Sequence, residues 1–146
     1  MTVLEIKLIP DPILRKKAEP VKVVTNDIIS VLNDMAETMY DAPGIGLAAN
    51  QVGILKRLIV MDCSTDDEDP NLIKMINPEI IFSSTEISEL EEGCISIPEH
   101  KSIVKRPSNI KVRFLNTQGS EEIIDADGLL SACIQHEIDH LNGVLF

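Results

Sequence analysis

"GLLSACIQHEIDHL", residues 128–141, decides how the rest of the chain is read, because the apolar spacing here turns helical after a long series of strand-like runs. Leu129, Cys133 and His136 are four and three residues apart, as the side chains on one face of a helix are. Asn142-Gly143 then supplies a stop. Upstream, "ILKRLIVMD", "NLIKMINPEIIF", "TEISELEE", "KSIVKRP", "NIKVRFLN" and "EEIIDAD" are short and rich in β-branched residues. Pro, Asn, Asp, Gly and Ser clusters separate them, which predicts antiparallel strands. Earlier still, "TNDIISVLNDMAETMYDAPG" spaces Ile28, Ile29, Leu32, Met35 and Met39 as an amphipathic helix, with Thr25 or Asn26 to cap it and Pro43-Gly44 to end it. The outline is α+β: an N-terminal amphipathic helix, then antiparallel strands packed around a central C-terminal helix that carries H-E-x-x-H.

At 146 residues and 44% hydrophobic content, positions 1–146 suit one domain with one core. Aromatics at 3% leave few stacking surfaces, and a net charge of -11 opposes phosphate binding, so a nucleic-acid groove is excluded. The opening "MTVLEIKLIPDP" lacks a signal-peptide pattern and no run reaches membrane-span length, which predicts a soluble, cytoplasmic protein without a membrane partner. Cys63, Cys94 and Cys133 are an odd set without a secretion signal and argue against a disulfide framework. The acidic "DCSTDDEDP", residues 62–70, reads as a solvated loop.

On the last helix His136 and His140 share a face and can turn ring nitrogens toward one ion, with Glu137 beside them to move a proton. The same spacing also suits two histidines covering a helix end. A catalytic site of this kind needs a third protein ligand and an open position. His100, Cys63, Cys94 and Cys133 are the candidates. Cys133 shares the helix of the histidines and would crowd them, so it reads as a pocket wall. His100 lies in a polar stretch and reads as exposed. Cys94, in "EEGCISIPE", follows a glycine at a strand end and can complete a Cys-His-His set from a separate element, although a free cysteine is also commonly a small buried apolar residue.

"GIGLAANQ", residues 44–51, fits a dinucleotide fingerprint only superficially, because it follows a helix and no βαβ unit surrounds it. Its small residues instead let backbone approach a bound peptide, and Gln51 brings an amide N–H suited to an oxyanion. A tight helix-to-strand connection would look the same.

In this order, "GIGLAANQ", "EGCIS" and "QHEIDH" resemble the three signature motifs of the peptide deformylases, and "IPDPILRKKAEPV" and "DADGLL" extend the resemblance over nearly the whole chain. The resemblance implies a metallohydrolase that removes the N-formyl group from the formylmethionine of new polypeptides and releases formate. It implies Cys94, His136 and His140 as metal ligands with water in the fourth place, and Glu137 as general acid/base. Gln51 and the backbone N–H of Ile95 would hold the oxyanion. Gly44, Ile45, Gly46 and Glu92 would line the groove of an N-formylmethionyl peptide lying alongside as an added strand. Leu129 and Cys133, placed by helical spacing on the metal-facing side, are candidates for the wall around the methionine side chain. Ferrous iron is the implied physiological metal, and Zn2+, Ni2+ or Co2+ suit the same ligands.

Two features depart from the family pattern. Ile95 stands where leucine is usual, which keeps the backbone donor. The sequence stops six residues after His140, where many bacterial members continue into a long helix implicated in ribosome binding. Ribosome contact is therefore expected to be weak, and Val144, Leu145 and Phe146 are expected to fold back on the domain. A zinc peptidase would need a downstream third ligand that "LNGVLF" does not offer, and a non-catalytic metal protein would not need both Glu137 and Gln51. Arg106 is expected to pair with Asp139 and fix the last helix against the strands.

Overall fold

The structure, a computed structural model, describes residues 2–145. Thr25 caps α1 (Asn26–Asp41), its hydroxyl accepting the Ile28 N–H at 3.3 Å. Ile28, Leu32, Met35 and Met39 form its buried face, with Ile29 only half-buried, and the helix ends just before Pro43-Gly44 as its sequence predicts. Seven strands follow: β1 (Gly46–Ala48), β2 (Leu58–Met61), β3 (Ile73–Ser83), β4 (Ile87–Cys94), β5 (Ile97–Pro107), β6 (Asn109–Leu115) and β7 (Glu121–Asp127). The last element among the described residues is α2 (Gly128–Leu141). Five strands make an antiparallel sheet in the order β1-β2-β3-β6-β7, and β4 and β5 pair separately as a hairpin.

The apolar run of β2 has a direct cause. Leu58 and Val60 face α1 and pack with Leu32, Met35 and Met39, while Ile59 and Met61 face α2 and pack with Ile134, Ile138 and Leu141. With both faces covered, every second residue gains as much from burial as its neighbour, about 1.5–3 kcal/mol for each fully buried aliphatic side chain. The edge strand β1 was not foreseen. Its three residues are all buried, so they show no alternation, and only the pairing of Gly46 with Met61 and Ala48 with Ile59 defines it.

Asp62, read from sequence as part of a solvated loop, is buried at the end of β2, and only the residues after Ser64 are exposed. Its carboxylate accepts the Tyr40 hydroxyl at 2.6 Å and the Ser64 N–H at 3.0 Å, which compensates its burial. At the other end of the fold, Gly143 takes φ 80° and closes α2, with Gly143 N–H donating to the His140 carbonyl and Val144 N–H to that of Asp139, each at 2.9 Å. Leu145 is half-buried but Val144 stays 43% exposed, so the expected fold-back is partial; Phe146 lies outside the described residues. Among the described residues no helix is long and apolar enough to cross a membrane.

Candidate metal centre

His136 and His140 stand one turn apart on α2, with their Nε2 atoms 2.9 Å apart and both rings buried. The β4–β5 hairpin brings the third group. Its register shifts between Gly93 and Cys94, so that Cys94 pairs with Ile97 at a tight end, and Cys94 Sγ lies 3.4 Å from His140 Nε2. The three ligand atoms lie within 4.8 Å of one another.

Their surroundings orient them. Glu92, two residues before Cys94 on the same face of β4, places Oε1 2.8 Å from His136 Nδ1. Burial opposes ionisation of Glu92, but hydrogen bonds from His136 and Arg106 and the charge of Arg106 outweigh it and hold the carboxyl down at about 2. An ionised carboxylate only accepts, so His136 donates through Nδ1 and presents Nε2 to His140 on the side of Cys94. Burial and the neighbouring His136 keep His140 neutral by lowering its pKa. One sulfur and two imidazoles converging in this way fit a divalent transition ion.

Glu137 lies beside this cluster at 4% exposure, and its Oε1 has no hydrogen-bond partner. Burial pushes its carboxyl up to about 7, where it can both take and give a proton near neutrality. Gln51 is locked. Its Oε1 accepts the Ala48 N–H at 2.9 Å, which aims Nε2 at Cys94 Sγ, 3.4 Å away, and at Ser96 Oγ, 3.2 Å away. Backbone comes close on the opposite side: a Cβ on Gly46 would sit 2.6 Å from Glu137 Oε2 and 2.8 Å from Cys133 Sγ, so only glycine fits there.

These groups surround a cavity of about 480 Å3, enough for a small ligand. Gly44, Ile45, Gly46, Gln51, Glu92, Cys94, Ile95, Leu129, Cys133, His136 and Glu137 all line it. His140 does not; it is only 1% exposed. Cys133 Sγ points toward the Ile45 carbonyl at 3.8 Å and takes no part in the Cys-His-His cluster, and His100 is exposed, as expected for both. Six lining residues were missed: Pro43, Leu90, Glu91, Gly93, Lys101 and Ala132. Ala132 precedes His136 by one helical turn and Leu90 precedes Glu92 by one strand repeat, so the same periodicities could have found these two.

The family model for polypeptide deformylase matches residues 3–146. This chain belongs to the peptide deformylase family. It is 49% identical to a peptide deformylase of Rhizobium meliloti over 146 residues, all of this chain and 84% of that protein. A peptide deformylase of Afipia carboxidovorans is 51% identical over all of this chain and 85% of its own length. The crystal structure of peptide deformylase from Ehrlichia chaffeensis in complex with actinonin superposes with a TM-score of 0.95 at 43% identity, covering 100% of this chain and 87% of that one. A probable peptide deformylase from Synechococcus phage S-SSM7 gives 0.92 at 43% identity, covering 98% and 97%. The family's members are metalloenzymes that remove the N-formyl group from nascent peptides, and the α+β fold with its C-terminal helix is theirs.

Proposed function

We propose that residues 1–146 act as one catalytic unit in which Cys94, His136 and His140 hold a single divalent cation, ferrous iron under physiological conditions, and hydrolyse the formamide of N-formylmethionyl peptides in the cytoplasm. The observation that carries this reading is the convergence of those three ligand atoms beside the partnerless oxygen of Glu137 on the cavity wall. A cation held there supplies Lewis acidity for a carbonyl and lowers the pKa of water.

The chain's own groups do the rest. Glu137 takes a proton from the attacking water and passes it to the departing α-amine, a task suited to a carboxyl held at about 7. The fixed amide of Gln51 and the backbone N–H of Ile95 receive the oxygen on which negative charge develops. Gly44, Ile45 and Gly46 offer backbone to the peptide on one side, and β4 with Glu92 bounds the other. Leu129 and Cys133 form the apolar wall for the methionine side chain. A formamide carbon carries only hydrogen, so the close approach of Gly46 to Glu137 admits it and excludes a bulkier acyl group.

The test is anaerobic formate release from a formyl-Met peptide by iron-loaded protein, with metal content measured on the same sample. Release in proportion to bound iron, lost in a Cys94→Ser variant together with the metal, is the expected result. Full metal loading without formate release would refute it.

A further inference from the structure

We propose that Arg57, directly before β2, is a positioning residue for His140 and holds that ring in place through the backbone of the last turn of α2. The proposal rests on Cys94, His136 and His140 being the ligand set, as read above. The two histidines are fixed in different ways. His136 gives its Nδ1–H to Glu92, whose carboxylate Arg106 grips. His140 Nε2 lies 2.9 Å from His136 Nε2 and 3.4 Å from Cys94 Sγ, but among the described residues no side chain reaches its buried Nδ1. A ring without such a partner points where its backbone sends it. His140 stands one residue before the end of α2, where the last carbonyls lack intrahelical partners and helices fray.

Arg57 supplies what that turn lacks. Its Nη1 donates to the carbonyls of Leu141 and Ala18, both at 3.3 Å, and its Nη2 donates to Asn142 Oδ1 at 3.1 Å. The Ala18 N–H also donates to the Leu141 carbonyl, at 2.7 Å. The carbonyl next to His140 thus has two donors, one of them cationic, and positive charge is favoured at a helix C-terminus. The anchor is itself held. Arg57 N–H donates to the Glu19 carbonyl at 2.9 Å, its carbonyl accepts the Asn77 N–H at 2.8 Å, and the neighbouring Leu58 is fully buried. Past the helix end, a Cβ on Gly143 would collide with the Arg15 carbonyl, so the turn after His140 has no room to slide that way.

Loss of the Arg57 side chain would free this turn to sample arrangements in which His140 is out of place. A cation would then bind only the fraction of molecules with the ring in position, and its apparent affinity would fall by that fraction.

The experiment measures zinc affinity by competition with a chromophoric chelator, and the visible spectrum of cobalt-loaded protein, whose bands follow ligand geometry. It compares the parent with Arg57→Ala, Arg57→Lys, Asn142→Ala, His140→Ala and Thr25→Ala. Thr25→Ala removes the cap of α1, across β2 from α2, and so lowers stability without touching the clamp. Zinc affinity should fall about 10–100-fold in Arg57→Ala, less in Arg57→Lys and in Asn142→Ala, which keeps the Leu141 contact, and stay parental in Thr25→Ala. The cobalt bands should change in the Arg57 and Asn142 variants alone among those that keep all three ligands. Parental affinity and spectrum in a folded Arg57→Ala protein overturn the proposal, as does an equal loss of affinity in Thr25→Ala. Should Arg57→Ala fail to fold, parental affinity and spectrum in both Arg57→Lys and Asn142→Ala overturn it. Zinc bound as tightly by His140→Ala as by the parent refutes the ligand set and this proposal with it, whereas parental affinity in Arg57→Ala refutes the role of Arg57 alone.

Discussion

Arg106 grips Glu92 through two hydrogen bonds, Nε to Oε2 at 2.7 Å and Nη2 to Oε1 at 2.9 Å, and so fixes the carboxylate that accepts His136 Nδ1–H. Its remaining arm donates to Asp139 on α2 at 2.8 Å, the pairing expected from sequence. Arg106 and Glu92 each have side chains only 9% exposed, and removing one partner leaves the other charge buried. Arg106→Ala should therefore destabilise the fold by about 3–5 kcal/mol and weaken metal binding by about 10–100-fold, with Arg106→Lys between the two because it cannot bind a carboxylate with two parallel arms. Urea unfolding and chelator competition measure these effects. Parental metal affinity in a folded Arg106→Ala protein would show that the relay does not orient His136.

Glu137→Gln should keep the metal and lose the reaction. The amide fills the same space and none of the proposed ligands changes, but it cannot accept the proton of water. The rate should fall by about 100–10,000-fold, the usual contribution of a positioned acid/base. Formate release from metal-replete variant checks this, and near-parental turnover would take Glu137 out of the mechanism.

Much of this was legible because its determinants are local. Thr25 and the Leu32–Met35–Met39 spacing specify α1 within a few turns, and His136, Glu137 and His140 reveal their common face by helical arithmetic. Pairings between distant segments were not legible. The contacts of Tyr40 with Asp62 and of Glu92 with His136 each join separate elements, and no period within one segment encodes them. The strand order β1-β2-β3-β6-β7 has the same character, and β1 itself exists only through its neighbour. Arg106–Asp139 was the exception, since Asp139 lies inside the H-E-x-x-H motif beside His140, where a charged partner that orients the ligands is expected.

Gly46→Ala should damage catalysis more than folding. The new methyl would meet Glu137 Oε2 and Cys133 Sγ, so the strain falls on the proposed acid/base and the pocket wall. Overpacking of this size costs about 1–3 kcal/mol, which a folded protein can survive while a displaced carboxylate loses its alignment. Thermal melting and kcat/KM on one preparation separate the effects. A variant with a lowered melting point and unchanged kcat/KM would show that the contact is purely structural.

The Tyr40–Asp62 link should make stability fall in mild acid. Burial works against the Asp62 carboxylate, but the Ser64 and Tyr40 hydroxyls and the Ser64 and Asn71 N–H groups outweigh it and hold its pKa down at about 2. The unfolded value is about 4. A group whose pKa is lowered by folding contributes stability that is complete above the unfolded value and is lost as pH falls toward the folded one. The stability gap between the parent and Asp62→Asn should thus be widest near pH 6 and shrink steadily below about pH 4. Tyr40→Phe removes one donor to the carboxylate, and at a half-exposed site should cost about 1 kcal/mol at neutral pH. Because Asp62 N–H also holds the Ile45 carbonyl at 2.9 Å, both variants should loosen the Gly44–Gly46 rim and raise KM more than they lower kcat. Unfolding in urea at pH 6, 4 and 3, with steady-state kinetics at neutral pH, measures both effects. A stability gap that stays constant across the series would mean that ionised Asp62 is not what ties this corner of the fold together.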